Sequence, residues 1–223
     1  MVLSAPNSTY LLLGIHLTRT DSVHQSKTKL LDAALQVFRT SGYAATTVDD
    51  VCLAAGVTKG SFFHHFTSKE ELAVNAADYW SEMTTAFFAA APYHAHRDPL
   101  DRVLGYIDFR KSILQGTLPE FTCHVGTMVQ ETYDTAPAIR AACERSISGH
   151  AAVVARDIAE AMKARRIKAK WTAESLALHT QAVLQGAFIL AKAQGSAQVA
   201  ADSVAHLRRY IELLFAVAST KEK

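Results

Sequence analysis

The sequence predicts an all-α fold of about nine helices. Only 5 prolines and 10 glycines interrupt the 223 residues, and apolar residues recur every three or four positions along most of the chain, which is the period of an amphipathic helix. Apolar residues make up 49% of the chain and charged residues 20%, a balance typical of globular proteins. These observations disfavour both strand-rich folds and disordered chains.

Three short helices are predicted near the N-terminus. The first begins at Ser26 and stops at Gly42, the second covers residues 47–55, and the third covers residues 58–66. Gly56 stands between the second and third helices, where its left-handed backbone can end a helix. Two short helices joined by a glycine-containing turn are typical of a helix-turn-helix.

Polar residues at fixed spacing predict where these helices begin. Thr47 with Asp50, and Ser68 with Glu71, have the spacing of capping boxes, and Thr58 is placed to cap the third helix. Six further helices are predicted, over residues 70–91, 99–116, 123–133, 137–165, 172–194 and 197–218. Asp98 and Gly195 are the expected start and stop signals for two of them.

The helical pattern divides the chain into three parts. Residues 1–22 are expected to be a loosely ordered extension, residues 23–68 form the helix-turn-helix domain, and residues 69–223 form a second helical domain. Because the helical pattern begins abruptly after Ser22, a natural translation start further along, at Val23, is a hypothesis.

Residue composition and spacing indicate the redox environment of the protein and the ligands that it is not expected to bind. Cys52, Cys123 and Cys143 are odd in number and widely spaced, which neither a disulfide framework nor a CxxC metal site would produce, so a reducing, cytoplasmic setting is expected. His94 and His96 do not complete a metal site, and we expect neither a metal nor a cofactor. No apolar run approaches the roughly 20 residues that cross a bilayer, so no membrane partner is expected.

The segment TTVDDVCLAAGVTKGSFFHHFTSKEEL, within residues 26–72, resembles the DNA-binding module of the TetR family of bacterial regulators. The resemblance implies an N-terminal three-helix helix-turn-helix DNA-binding domain and a helical ligand-binding and dimerisation domain. It also implies three partners: double-stranded DNA, a second copy of the chain, and a small-molecule effector. An enzyme is not expected, because the sequence lacks G-x-S-x-G, a glycine-rich phosphate loop after a strand, and H-E-x-x-H.

Residues in and around the third helix are expected to face DNA. Gly60 leaves this helix without a side chain where it would press closest to base edges, and Lys59 supplies an ammonium group near the helix N-terminus. In the family the position of Phe63 is often a tyrosine whose hydroxyl reaches a phosphate, and that donor is missing here. The predicted DNA-binding residues are Thr47, Thr58, Lys59, Gly60, Ser61, Phe63, His64, His65 and Lys69.

Core packing and net charge are two further features of this segment. Phe62 and Phe66 lie four residues apart and are predicted to anchor the third helix in the core. Residues 26–72 carry five basic and five acidic side chains, so DNA binding must depend on where the charges point. A modest salt dependence of the affinity is therefore expected.

Aromatic and sulfur-containing side chains of the second domain are candidates for an apolar ligand pocket. The predicted lining residues are Trp80, Met83, Phe87, Tyr106, Phe109, Phe121, Cys123 and Met128. Cys123 is expected at a helix N-terminus, where the dipole favours a reactive thiolate, and TCHVGTMVQE is similar to the region through which some TetR-type repressors sense electrophiles or oxidants. Ordinary core packing is the alternative for each of these residues.

We therefore predict a ligand-responsive transcriptional repressor. It would bind a palindromic operator as a homodimer and be released by a small molecule or by cysteine modification. Repression rather than activation follows from the resemblance. The alternative is a helical ligand-binding dimer that has lost DNA binding. The missing hydroxyl at Phe63 and the neutral charge of residues 26–72 keep this alternative open.

Overall fold

The computed structural model describes residues 19–220, with side chains for residues 25–216. This part of the chain contains ten α-helices, one 3-10 helix at Pro92–Ala95 and no strands, which confirms the all-α prediction. The helices are α1 (Arg19–Ser41), α2 (Val48–Ala55), α3 (Lys59–His65), α4 (Lys69–Ala89), α5 (Pro99–Ser112), α6 (Leu118–Phe121), α7 (His124–Thr132), α8 (Pro137–Ala164), α9 (Ala173–Gln194) and α10 (Gln198–Thr220).

Two helix boundaries differ from the prediction by more than two residues. Helix α1 begins at Arg19 rather than Ser26, because residues 19–25 contain neither proline nor glycine to stop it. Of the extension predicted over residues 1–22, the first 18 residues lie outside the described part of the chain, and the rest belongs to α1. Helix α5 ends at Ser112 instead of Gly116.

The sequence prediction missed helix α6. Gly116 adopts a φ of +82°, and immediately after it Thr117 and Glu120 form a capping box. Glu120 accepts hydrogen bonds from both the backbone N–H and the hydroxyl of Thr117, and these bonds lower the pKa of its carboxyl group. The local signal for a separate four-residue helix was therefore present in the sequence.

One hydrophobic cluster joins the first three helices to the rest of the protein. It contains Leu30 and Phe38 of α1, Val51 of α2, and Phe62 and Phe66 around α3, all at most 1% exposed. The same cluster continues into α4, α7 and α8 through the buried residues Leu72, Ala76, Met128, Ile139 and Cys143. The helix-turn-helix segment is therefore packed on the second domain through a shared core.

A second cluster fills the space between α5, α8, α9 and α10. It encloses a short polar chain, in which the Gln181 side chain donates a 3.1 Å hydrogen bond to the Tyr106 hydroxyl. That hydroxyl lies 3.0 Å from Nε2 of His150. Pairing satisfies these groups, so they can be buried among apolar side chains without a large penalty.

His124 is buried where α1, α4 and α7 meet. Its ring is stacked on Phe38, with ring centroids 6.0 Å apart, and tilted against Trp80 at the same distance. Neither ring nitrogen has a hydrogen-bond partner among the described residues. Burial, followed by the nearby Arg39 charge, lowers the pKa of His124 to about 3, so the imidazole is neutral in the folded protein.

We predict that the free energy of unfolding decreases as the pH falls from 7 to 5. The pKa of His124 drops from 6.5 in the unfolded chain to about 3, and burial lowers that of His150 to about 4. At pH values between the folded-state and unfolded-state pKa of each histidine, the unfolded state binds one proton more than the folded state. The stabilisation is therefore full above about pH 6.5 and is lost progressively below it. The loss is at most about 1.4 kcal/mol per pH unit for each histidine.

Urea unfolding of His124→Leu over the same pH range checks this prediction. The variant is expected to have roughly half the slope of the wild type, since only His150 still contributes. His96→Leu is the control, because His96 is exposed. Equal slopes for His124→Leu and the wild type would contradict the account.

Candidate nucleic-acid interface and effector site

Helix α2 is bounded by the two signals that the sequence predicted. Thr47 accepts a 3.2 Å hydrogen bond from the backbone N–H of Asp50, and the Asp50 carboxylate accepts a 2.8 Å bond from the backbone N–H of Thr47. The Thr47 hydroxyl also donates a 2.7 Å hydrogen bond to this carboxylate, and the bonds from the hydroxyl and from the backbone N–H of Thr47 lower the pKa of Asp50. At the other end Gly56 has a φ of +63° and ends the helix with its backbone N–H on the carbonyls of Cys52 and Leu53.

Helix α3 is only seven residues long. Thr58 caps its N-terminus by accepting a 3.1 Å hydrogen bond from the backbone N–H of Ser61. Phe62 and Phe66 are 0% and 1% exposed, which confirms that they anchor this helix in the core. The opposite face carries Lys59, Gly60, Phe63 and His64, all exposed, as their spacing on a helix requires.

The exposed face of α3 has two apolar features. An added Cβ at Gly60 would have only the Thr58 hydroxyl within 4 Å, at 3.8 Å, so no other described residue covers this position. Phe63 is 54% exposed, and its ring meets that of Phe62 edge-on, with centroids 5.1 Å apart. In the major groove an exposed phenylalanine can contact a thymine methyl group, although it cannot donate to a phosphate.

The structure brings seven of the nine predicted DNA-binding residues together. Thr47, Thr58, Lys59, Gly60, Phe63 and His64 are exposed, and Ser61 is partly exposed. Thr47 and Lys59 belong to different helices, but Asp49 lies two residues after Thr47 and forms an ion pair with Lys59, with Nζ and Oδ1 2.9 Å apart. We refer to these seven residues and Asp49 as the α2–α3 surface.

The other two predicted residues, His65 and Lys69, make contacts within the protein. Nε2 of His65 lies 2.7 Å from the Ser26 hydroxyl. The Lys69 ammonium donates hydrogen bonds to the carbonyls of Tyr43 and Thr46, at 2.9 and 2.7 Å, and lies 4.3 Å from the Tyr43 ring centroid. Their roles in binding phosphate stay predictions.

Sequence reasoning missed the part that Asp49 plays on this surface. It included Asp49 only in the count of five acidic side chains in residues 26–72. The available signal was topological: in a helix-turn-helix the first turns of the two helices are close, so an acid in one and a base in the other can meet.

The residues predicted to line one ligand pocket lie in several separate regions of the second domain. Phe87, Tyr106 and Phe109 belong to an aromatic group around Phe88, with ring centroids 5.3–6.0 Å apart. The remaining residues lie elsewhere: Trp80 and Met128 pack in the cluster shared with α1, Phe121 contacts Phe188, and Met83 is 45% exposed. Cys123 touches both hydrophobic clusters.

Cys123 opens onto a cleft of about 200 Å³ between α7 and α9, which we call the Cys123 cleft. Its lining residues are Cys123, Gly126, Thr127, Gln130, Glu131, Gln185, Phe188, Ile189 and Lys192. Cys123 caps α7, with Sγ accepting a 3.4 Å hydrogen bond from the backbone N–H of Gly126. Across the cleft, the Lys192 ammonium donates a 2.8 Å hydrogen bond to the Thr127 hydroxyl.

One residue of the Cys123 cleft also contacts the helix-turn-helix segment. The Glu131 carboxylate accepts a 2.8 Å hydrogen bond from the backbone N–H of Ala44, in the turn between α1 and α2. Gly42, in the same turn, has a φ of +85°, and a Cβ there would lie 2.6 Å from Glu131. The cleft and the turn are thus in direct contact.

Apolar side chains on the last two long helices face outward. Leu178, Ile189 and Leu190 of α9 are 47–51% exposed, and Tyr210 and Leu213 of α10 are 44% and 62% exposed. Ala182 and Gly186 lie between them on α9, on the same side of the helix by spacing. We call these seven residues the α9–α10 face.

The described residues contain neither a metal-binding cluster nor a membrane-spanning helix. No group of three or more histidine, cysteine, aspartate or glutamate side chains is arranged to hold a metal ion there. No helix in that part of the chain has the length and hydropathy to cross a membrane.

The chain matches two family descriptions. Residues 30–76 match "Bacterial regulatory proteins, tetR family", and residues 99–203 match "Transcriptional regulator LmrA/YxaF-like, C-terminal domain". The first match contains the whole α2–α3 surface. The second contains the Cys123 cleft and most of the α9–α10 face.

Individual relatives agree with these matches. The uncharacterised regulator YxaF of Bacillus subtilis is 28% identical over 136 residues, which are 60% of this chain and 71% of YxaF. The repressor KstR2 of Rhodococcus jostii is 50% identical over 46 residues, or 21% of this chain. The chain spans only 22% of KstR2 and 22% of YerO, another Bacillus subtilis regulator, 32% identical over 62 residues.

Solved structures show the same fold over most of the chain. A TetR transcriptional regulator from Chloroflexus aurantiacus superposes with a TM-score of 0.74 and 28% identity, covering 86% of this chain and 96% of that one. The likeness therefore includes both the helix-turn-helix segment and the second helical domain.

We predict that Lys69→Met lowers the free energy of unfolding by about 2 kcal/mol, because it removes two hydrogen bonds from a charged donor to partly buried carbonyls. Lys59→Met is the matched control, since the ion pair that it breaks is exposed and contributes less than about 1 kcal/mol. Urea unfolding of both variants measures the difference. Equal losses would show that the Lys69 bonds do not stabilise the turn.

Proposed function

The chain belongs to the TetR family of transcriptional regulators, and from that premise we propose that it is a ligand-responsive repressor. It binds a palindromic operator as a homodimer, with α3 of each copy in a major groove. The observation that carries this proposal is the geometry of α3, which is anchored by Phe62 and Phe66 while its opposite face is exposed. Repression is supported by the resemblance to KstR2, which is named as a repressor.

The proposed contacts follow from the chemistry of the α2–α3 surface. Gly60 allows the start of α3 to approach the base edges closely. The hydroxyl groups of Thr47, Thr58 and Ser61 donate hydrogen bonds to phosphate oxygens. The imidazole N–H groups of His64 and His65 do the same. Lys69 adds a positive charge near the start of α4 while its ammonium group stays bonded to the turn before α2.

The α9–α10 face is the proposed dimer interface. An isolated chain leaves five large apolar side chains on this face about half exposed, and a two-fold contact between identical faces would bury them. The small residues Ala182 and Gly186 let two helices approach closely. This pairing sets the separation between the two copies of α3.

The effector is proposed to act through the second domain. The aromatic group that includes Phe87, Tyr106 and Phe109 and the Cys123 cleft are the two candidate sites, for an apolar ligand and for thiol modification respectively. A bound group in the cleft would act on Glu131 and through it on the α1–α2 turn. It releases DNA only if it favours the spacing of the two α3 helices that does not fit the operator.

A helical ligand-binding dimer without DNA binding is the second candidate. The observation that favours it is the ion pair between Lys59 and Asp49, which engages the cation at the start of α3. The two candidates differ in one measurement, the preference of the protein for its own promoter region over competitor duplex.

Three glycines permit a matched test of the DNA and dimer surfaces. Gly60, Gly149 and Gly186 are helical, and an added Cβ meets nothing closer than 3.8 Å at Gly60 and nothing within 4 Å at the other two. Replacement by leucine should therefore leave the fold of each protomer intact. Leucine also has a higher helix propensity than glycine, which favours the same outcome.

We expect Gly60→Leu to abolish operator binding while the protein stays dimeric, because leucine separates α3 from the base edges. Gly186→Leu should shift the dimer towards monomer, and Gly149→Leu should change neither property. Gel-shift titration and sedimentation velocity measure the two effects. Operator binding by Gly60→Leu with unchanged affinity would refute the proposed interface.

We expect alkylation of Cys123 by N-ethylmaleimide to reduce operator affinity at least tenfold. The reagent should react first at Cys123, which is partly exposed, because Cys52 and Cys143 are buried and burial raises the pKa of Cys143 to about 12. Cys123→Ser should bind the operator normally and no longer respond to electrophiles or oxidants. An unchanged response in Cys123→Ser would exclude this cysteine as the sensor.

A further inference from the structure

The α2–α3 surface carries a carboxylate and an ammonium side by side. Nζ of Lys59 lies 2.9 Å from Oδ1 and 3.0 Å from Oδ2 of Asp49, and the two side chains are 56% and 69% exposed. An uncompensated carboxylate at this position would repel the phosphates of any duplex that α3 approaches. The presence of an acidic residue at this position therefore requires an explanation.

Two other acids near the ends of these helices, Asp50 and Glu71, have local roles. Asp50 accepts hydrogen bonds from Thr47 at the start of α2. Glu71 accepts them from Thr67 before α4. Asp49 instead points its carboxylate across to the first residue of α3, which is the end of a recognition helix that contacts base edges.

The spacing of this pair matches one feature of the major groove. Guanine presents the acceptors O6 and N7 there, and its partner cytosine presents the N4 amino group as a donor. O6 and N4 are joined by a Watson–Crick hydrogen bond, so they lie about 2.9 Å apart. A lysine ammonium and a carboxylate oxygen at the same separation can meet both atoms, with the donor on O6 and the acceptor on N4.

We propose that Asp49 and Lys59 act as one unit that reads a G·C base pair in each half-site. This proposal rests on the proposed DNA-binding function and names part of its sequence specificity. A reversed pair and an A·T pair present the donor and the acceptor in the opposite order. A T·A pair keeps the order of G·C, but it puts the thymine methyl group where guanine offers N7 as a second acceptor to the ammonium. The unit is electrically neutral, so it selects a base pair without adding to general attraction for phosphates.

Two consequences follow for DNA binding. Exposed ion pairs contribute little to stability, so the geometry of the unit can adjust on docking at small cost. If Asp49 loses its charge, Lys59 becomes a free cation at the start of α3. It can then bind a phosphate, and each added phosphate contact steepens the fall of log affinity with log salt by about one unit.

The test uses the full-length dimer and the duplex that it selects from a random pool. Each position of one half-site is then replaced, and affinities are measured for the wild type and Asp49→Asn, on selected and unrelated duplexes, over a salt series. We expect the wild type to prefer G·C at one position by about tenfold. Asp49→Asn should weaken that preference, because an amide oxygen is a poorer acceptor than a carboxylate. It should also bind unrelated duplex more tightly and show a salt slope steeper by about one unit per protomer.

Three further variants distinguish a role of Asp49 in reading a base pair from a purely structural role. Asp49→Glu keeps the carboxylate and should retain the salt slope of the wild type. Adding Lys59→Met to Asp49→Asn should remove the extra slope. Asp101→Asn removes an exposed acid from the first turn of α5, far from the α2–α3 surface, and should change neither preference nor slope.

The outcomes are distinguishable from failure of the proposed function. If the wild type selects no duplex at all, DNA binding itself is refuted. If it selects a site but Asp49→Asn keeps the same base preferences and the same salt slope, the proposed G·C reader is overturned while the DNA-binding function stands. Thermal melts of each variant establish that it is folded.

Discussion

The burial of two phenylalanine rings is the interaction on which the DNA-facing geometry depends. A seven-residue helix is far shorter than the 12–15 residues that are marginally stable alone in water, so α3 exists because Phe62 and Phe66 are buried against α1 and α2. Each buried ring contributes about 1.5–3 kcal/mol. The same two contacts determine which side of α3 faces outward, and hence that Lys59 and Gly60 are presented together.

The position of α3 depends in turn on the second domain. The turn between α1 and α2 is bonded from two sides, by the Lys69 ammonium and by the Glu131 carboxylate, and Gly42 lets the glutamate approach closely. Behind this turn, Phe38 of α1 is stacked on the buried His124 of α7. A change in α7 that follows occupation of the Cys123 cleft therefore has a short physical route to the helix-turn-helix segment.

Local sequence signals were enough to predict most helix ends and the orientation of α3. The capping box of Thr47 and Asp50, the left-handed Gly56 and the i, i+4 pair of Phe62 and Phe66 each act within a few residues, and the structure confirms them. The box predicted for Ser68 and Glu71 is only half present. Ser68 accepts from the backbone N–H of Glu71, but the glutamate accepts from Thr67 instead of Ser68.

Contacts between distant residues were the part that sequence could not supply. Lys69 was predicted to bind DNA, but its hydrogen bonds to the carbonyls of Tyr43 and Thr46, more than twenty residues away, were not predicted. His124 was not singled out in the sequence, because its burial beside Phe38 and Trp80 depends on three helices. The aromatic residues predicted as one pocket fall into separate clusters, because periodicity identifies a buried face and not which faces meet.

The central claim is that two copies of α3 face outward at a separation matched to the pitch of DNA. Selection of bound fragments from random or genomic duplexes tests it most directly. The account predicts an inverted repeat whose half-sites are centred about one helical turn apart or slightly more, roughly 10–10.5 base pairs at the lower limit. Recovery of no preferred duplex at ordinary ionic strength, or of a single site without two-fold symmetry, would contradict it.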